Sequence, residues 1–275
     1  METFQKIGKM GVFVVAIAGN HDLEGKDADT IGNAMQALGA LTSFDPVTAP
    51  TDLFEPKIAL LPWYSDINEL RAKIKTAADN ADPGVTDLVI HAPLNGVIKG
   101  IPDAGLDPAE LSDLGFNRVF VGHFHNHKSF ENGKVYSVGA TTHQTWNDPG
   151  SRAGFCMVYP DRVEFIPSSA PSFVDIKKPE EVEEEVVSGN YVRLKLVDVT
   201  EAEIKTFRTE LENLGAKGVN IIATKKTEST RAASISSGAS LEVSVAEYIE
   251  KDSGFSDQKK LQELASSILT EARSR

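Results

Sequence analysis

Residues 12–18 run Val-Phe-Val-Val-Ala-Ile-Ala without a polar interruption, and Gly19-Asn20-His21-Asp22 follows at once. A short, β-branched apolar run reads as a strand buried on both faces, as in a parallel sheet. The same grammar recurs twice. Residues 87–90 form a second apolar strand that ends in His91, and residues 118–121 form a third that runs into Gly122-His123-Phe124-His125. Between them, residues 58–62 read as a strand, 31–38 as a helix and 67–81 as a charged amphipathic helix. After His125 the period shortens to hairpin-like strands at 134–138, 153–159 and 162–166, the last two joined at Pro160-Asp161. Strands that alternate with helices and then give way to hairpins predict an α/β, or layered α+β, architecture.

The pattern changes near residue 178. Pro179-Glu180-Glu181 and the acidic residues up to Glu185 form a hinge. Beyond it, a strand at 191–197, a helix at 202–214 closed near Gly215 and a strand at 219–223 predict a small βαβ unit. Residues 227–240, rich in Ser, Thr, Ala and Gly, read as a loop. At the end of the chain Leu261, Leu264, Ala265, Ile268, Leu269 and Ala272 recur at helical spacing behind a Ser256 cap. Such a stripe either packs on its own domain or docks on a partner. The division is therefore 1–178, a large domain; 179–252, a small one; and 253–275, a terminal helix.

Composition narrows the classes. The 275 residues are enough for a sizeable core, and a single cysteine, Cys156, excludes an internal disulfide framework and fits a reducing compartment. Lys6, Lys9 and the apolar run imitate a secretory leader, but cleavage after Ala18 would remove the strand that carries Asn20. No apolar stretch approaches the length of a membrane span, so no membrane partner is expected. The net charge of −12 argues against a protein that coats nucleic acid, because phosphate contacts draw on Lys and Arg. Lys225, Lys226 and Arg231 form one local basic cluster, readable as a phosphate contact or as a solvated turn.

The chemistry gathers at the strand ends. Of six histidines, five (His21, His91, His123, His125 and His127) fall in the three corners; His143 is the sixth. One histidine after a strand is more often a surface residue than a ligand. Five in three such corners, beside an Asn, predict a site for a divalent metal, since neutral imidazole is the commonest nitrogen ligand. Alternation in His123-Phe124-His125 predicts both imidazoles on one side and Phe124 towards the core, provided the segment stays extended.

Gly-Asn-His-Asp, a strand-end His and then Gly-His-x-His is an order that resembles the calcineurin-like metallophosphoesterases. Within them the chain looks most like the SbcD-type (meiotic recombination eleven-like) DNA nucleases. Residues 135–146, Val-Tyr-Ser-Val-Gly-Ala-Thr-Thr-His-Gln-Thr-Trp, and Ser151-Arg152-Ala153-Gly154-Phe155 resemble the phage-encoded members in particular. The resemblance is specific over residues 10–175 and looser beyond. It implies a β-sandwich flanked by helices, a small capping domain at 179–252 and a C-terminal helix that grips an SMC-like ATPase of the SbcC type. It further implies DNA as substrate, a homodimer and a bacterial or phage-infected cytoplasm as the place of work. Two divalent ions, manganese first, would drive phosphodiester hydrolysis in repair, recombination or phage DNA processing. By the same resemblance Asn20, His91 and His123 hold one ion and His125 helps to hold the other. His21 faces the scissile phosphate as acid or stabiliser, Asp22 orients His21, and His127 and His143 lie further out.

The family's first two motifs, Asp-x-His and Gly-Asp-x-x-Asp, do not occur ahead of Gly19. They carry most ligands of one ion and the bridging carboxylate, so the large domain is expected to be N-terminally incomplete or completed by another chain. Two other functional classes stay open at this point. One is a different metallophosphoesterase, such as a phosphomonoesterase. The other is a catalytically dead fragment that serves as an interaction module.

Overall fold

A computed structural model describes residues 2–22, 35–100, 104–225, 240–251, 254 and 257–273. In chain order the elements begin with α1 (Glu2–Lys9), β1 (Val14–Ile17), β2 (Phe44–Val47), β3 (Thr51–Phe54), β4 (Lys57–Leu61), α2 (Ile67–Asn80) and β5 (Asp87–His91). There follow α3 (Pro108–Asp113), β6 (Val119–Gly122), β7 (Lys128–Phe130), β8 (Val135–Ser137), β9 (Gly154–Val158) and β10 (Val163–Pro167). The chain continues through β11 (Phe173–Ile176), α4 (Glu184–Val187), β12 (Tyr191–Val199), α5 (Glu201–Asn213), β13 (Gly218–Lys225), α6 (Leu241–Lys251) and α7 (Gln258–Arg273).

The protein is mixed α/β, and its centre is a six-stranded sheet in the order β3-β4-β5-β6-β8-β7. Its inner strands β4, β5, β6 and β8 are parallel, and the edge strands β3 and β7 run antiparallel to their neighbours. Parity along the strands decides what each face carries. Leu88 and Ile90 of β5, Val119 and Val121 of β6 and Val135 of β8 are fully buried in one cluster, together with Leu70 and Ile74 of α2 and Leu111 of α3. Each such side chain contributes about 1.5–3 kcal/mol on burial, which makes this face the main store of stability. The helix α2 starts where Asp66 accepts the Asn68 N–H at 2.8 Å, and α3 starts where Asp107 accepts from Ala109 and Glu110.

The opposite parity sends Val89, His91 and Phe120 to the other face. There Ile58, Val89 and Phe120, with Phe155, Cys156 and Val158 of β9, line a cavity of about 860 Å3. Asp87 and Arg118 meet at the same face in a two-pronged ion pair, with contacts at 3.1 and 2.7 Å. Asn117 adds a bond to Asp87, and Arg118 reaches the Tyr159 carbonyl at 2.7 Å, fastening the β9–β10 hairpin.

Three small sheets complete the strands: parallel β1–β2, antiparallel β9–β10, and β11-β12-β13. The strand expected over 12–18 is confined to Val14–Ile17, and Val12 and Phe13 lie outside it, exposed. Of the helix expected at 31–38, residues 31–34 lie outside the described residues, and Gln36–Ala40 forms a 3-10 helix instead. The loop at 227–239, Ser256, Lys226 and Arg231 also lie outside them. The small strand-helix-strand unit is present as β12, α5 and β13, and Gly215, at φ 87°, follows α5 as expected.

By contacts the chain divides into two units, 1–195 with 205–222, and 196–204 with 223–275. Within the second, α6 and α7 are joined by an ion pair between Glu242 and Arg273, and Ile249 is buried. The terminal stripe is split in α7: Leu261, Ala265 and Leu269 are half-buried, whereas Leu264 and Ile268 are exposed. Among the described residues no helix is long and apolar enough to cross a membrane.

Candidate metal centre at the strand ends

The parallel strands β5 and β6 end side by side, with His91 opposite Gly122 in the register. β1 is brought to the same place because the Trp63 N–H, just past β4, donates to the Ala18 carbonyl at 2.9 Å. From these three ends the side chains of Asn20, His91 and His123 converge. Asn20 Oδ1 lies 3.0 Å from His91 Nε2 and 3.3 Å from His123 Nδ1, and the two imidazole rings stand 5.4 Å apart, edge to face. The carboxyl edge of a parallel sheet is where α/β proteins collect such groups, because successive crossovers return the chain there.

Backbone detail makes the approach possible. A Cβ on Gly19 would stand 2.9 Å from His91 Cε1, so only glycine lets the ring lie this close. The Asn20–Asp22 segment is one 3-10 turn, fastened where Asp22 Oδ2 accepts the Gly19 N–H at 2.8 Å. Asp22 thus holds the corner itself; no hydrogen bond joins it to His21 among the described residues. His21 is exposed at the rim.

His123 sits at φ 123°, far from the left-handed well that Glu131, Asn132 and Asp198 occupy. For a residue with a side chain such a conformation costs on the order of 1–3 kcal/mol and persists only where the surroundings enforce it. It bends the His123-Phe124-His125 segment, which the alternation took as extended. Phe124 packs towards the main core as expected. His125, however, turns to Asp148, with Nδ1 at 3.0 and 3.2 Å from the two carboxylate oxygens. The expectation of both imidazoles on one side assumed an extended segment, and the segment bends.

Electrostatics favour neutral, electron-donating rings. Burial, then the neighbouring His123, lowers the His91 imidazole to about 4, against a smaller opposing pull from Asp22. Burial also lowers His123, helped by the nearby His125 and His21. Both rings are therefore unprotonated near neutral pH, and each has a lone pair to donate. An amide oxygen and two neutral imidazoles form the mixed O/N set that first-row divalent ions accept, so these residues fit one such ion.

A second ion is not matched. Among the described residues no three His, Cys, Asp or Glu side chains gather as a metal-binding group for either ion, so a first ion depends on the Asn20 amide; His125 is a further candidate donor. Its Asp148 contact is the arrangement that fixes a ligating histidine's free nitrogen. Asp148 is buried and also accepts the N–H groups of Gln144 and Thr145 at 2.6 and 2.7 Å. Burial pushes its carboxyl up, but those two N–H groups and the His125 ring more than offset this and hold it below the usual carboxylate range.

The remaining histidines serve the frame. His127 stacks on Phe165 with centroids 4.1 Å apart and approaches the Cys156 sulfur at 3.8 Å. His143 accepts the Phe173 N–H at 2.9 Å through Nδ1 and meets the Ser151 carbonyl through Nε2, tying down β11. Sequence reasoning passed over Asp148 and Trp63. Asp148 stands in Asn147-Asp148-Pro149-Gly150, which reads as an ordinary turn; only the fold brings it to His125. Trp63 announces itself weakly, as an aromatic after a strand-ending Pro62.

No protein-family model matches the chain, and a search of curated proteins gives no match either.

Proposed function

We propose that this chain carries one half of the metal centre of a phosphodiester hydrolase of the calcineurin-like metallophosphoesterase kind, acting on DNA. The observation that carries the reading is the convergence of Asn20, His91 and His123 within 3.0 and 3.3 Å at the ends of β1, β5 and β6. Manganese is the first choice of ion, and Asn20 Oδ1, His91 Nε2 and His123 Nδ1 would hold it. When bound, such an ion supplies Lewis-acid polarisation of a phosphoryl oxygen.

The rest is work for the chain's own residues. His21 stands exposed one residue after Asn20, close enough for its charge to lower both His91 and His123. An imidazole there suits proton donation from a ring nitrogen to the leaving oxygen of the diester. Asp22 keeps the turn that presents His21. Asp148 holds His125 Nδ1 and so leaves Nε2 to face outwards from the pair. The two-ion arrangement of the resembled family needs carboxylates that this set does not contain.

DNA as substrate, a homodimer and an SMC-like ATPase of the SbcC type as partner follow from the resemblance of Gly19-Asn20-His21-Asp22 and Gly122-His123-Phe124-His125. The exposed Leu264 and Ile268 of α7 agree with a docking role for the terminal helix. A second reading, a binding module without catalysis, is favoured by the single-ion donor set. Hydrolysis of a single-stranded oligonucleotide with added Mn2+ separates the two. Slow cleavage that disappears in His123→Ala is expected, and a Mn2+-loaded chain that cleaves nothing would contradict catalysis.

A further inference from the structure

Trp63 is unused in the site as described, yet it touches both candidate ligand rings. Its indole stacks on His123, with centroids 5.2 Å apart and planes inclined by 25°, and meets His91 edge to face at 5.9 Å. Its own position is fixed from the backbone, since its N–H donates to Ala18 one residue before the Gly19 corner. Trp63 therefore joins the end of β1 through its backbone and the ends of β5 and β6 through its indole. Phe124 lies 5.1 Å from the His123 ring, but it belongs to the bent segment itself and packs on the main core. The His91 ring, from the end of β5, meets His123 edge to face at 5.4 Å, whereas the indole, from the end of β4, stacks on it.

We infer that Trp63 is a positioning residue for the metal centre: its indole fixes the His91 and His123 rings so that Nε2 and Nδ1 face Asn20 Oδ1. His123 sits in a strained backbone conformation, at φ 123°, that persists only where its surroundings hold it, and the stacked indole is part of those surroundings. The inference rests on reading the corner as a metal centre, so its test has one arm without metal and one with it. In the first arm, histidine ring protons of the metal-free protein are followed by NMR. A stacked indole shifts the His123 ring protons upfield; Trp63→Ala and Trp63→Leu should abolish that shift, and Trp63→Phe should keep part of it. In the second arm, Mn2+ affinity should fall by about 10- to 100-fold in Trp63→Ala and Trp63→Leu, as for other groups that orient ligands, with most of it recovered in Trp63→Phe. Circular dichroism checks that each variant is folded, and Trp63→Leu, which keeps part of the apolar bulk, replaces Trp63→Ala if the latter unfolds. Ring resonances unmoved in a folded Trp63→Leu would overturn the inference, as would moved resonances with Mn2+ affinity unchanged. A wild-type chain that binds no Mn2+ would sink the metal reading, while loss or persistence of the NOE between the His91 and His123 rings in metal-free Trp63→Leu would still decide whether Trp63 holds them in place.

Discussion

Asp148 shows how a single buried carboxylate can matter to the site without touching a ligand to be bound. It accepts two backbone N–H groups and the His125 ring at once. Replacing it with alanine leaves those donors unsatisfied, at about 1–3 kcal/mol for each buried group. Asp148→Ala should thus lower the melting temperature and disorder the His125 ring, read by thermal denaturation and by histidine NMR. The pH dependence has a definite sign. The folded carboxyl is a stronger acid than the unfolded one, whose value is about 3.9. Its contribution is full above that value and is lost as pH falls through the lower folded one. Melting measured from pH 6 down to pH 2 should fall more steeply for the wild type than for Asp148→Asn; parallel curves would refute the assignment. At this scale Asn20, His91 and His123 were legible in the sequence because each ends an apolar strand, and strand ends meet. Asp148 and Trp63 were not, because their contacts join segments that only the folded chain brings together. The path of the chain at His123 was not legible, because alternation presumes extended backbone and φ at His123 departs from it.

At the scale of elements, the ion pair between Asp87 and Arg118 joins the start of β5 to the residue preceding β6 and reaches the β9–β10 hairpin through Tyr159. Both side chains are largely buried, 12% and 14% exposed, so the pair is desolvated and its partners depend on each other. Removing one leaves the other charge unpaired, which in buried pairs costs about 3–5 kcal/mol, whereas removing both is far milder. Asp87→Ala should therefore destabilise strongly in urea denaturation, and Asp87→Ala with Arg118→Met should recover much of the loss. Additive losses in the double variant would show that the pair acts as two independent surface charges. Parity made β4, β5 and β6 easy to read, since Leu88 and Ile90 or Val119 and Val121 point one way while Val89 and Phe120 point the other. The shortening of β1 to Val14–Ile17 was harder to foresee, because an apolar run fixes no strand end by itself.

For the whole molecule, the face of the main sheet opposite the helices carries an apolar cavity beside β9, and among the described residues β9 pairs only with β10. β9 also exposes Phe155, Met157 and Val158. A strand edge of this composition is a template for pairing with other chains. Concentration-dependent self-association is expected in light scattering, and Met157→Lys, on the exposed side of β9, should reduce it. A monodisperse wild type unaffected by Met157→Lys would mean that the edge is already protected. The central claim is narrower, and calorimetric titration with Mn2+ tests it most directly. One ion per chain is predicted, bound at about 10 µM or weaker, or about −7 kcal/mol, and lost in Asn20→Ala, His91→Ala and His123→Ala alike. Two tightly held ions, or binding that survives all three substitutions, would contradict the account.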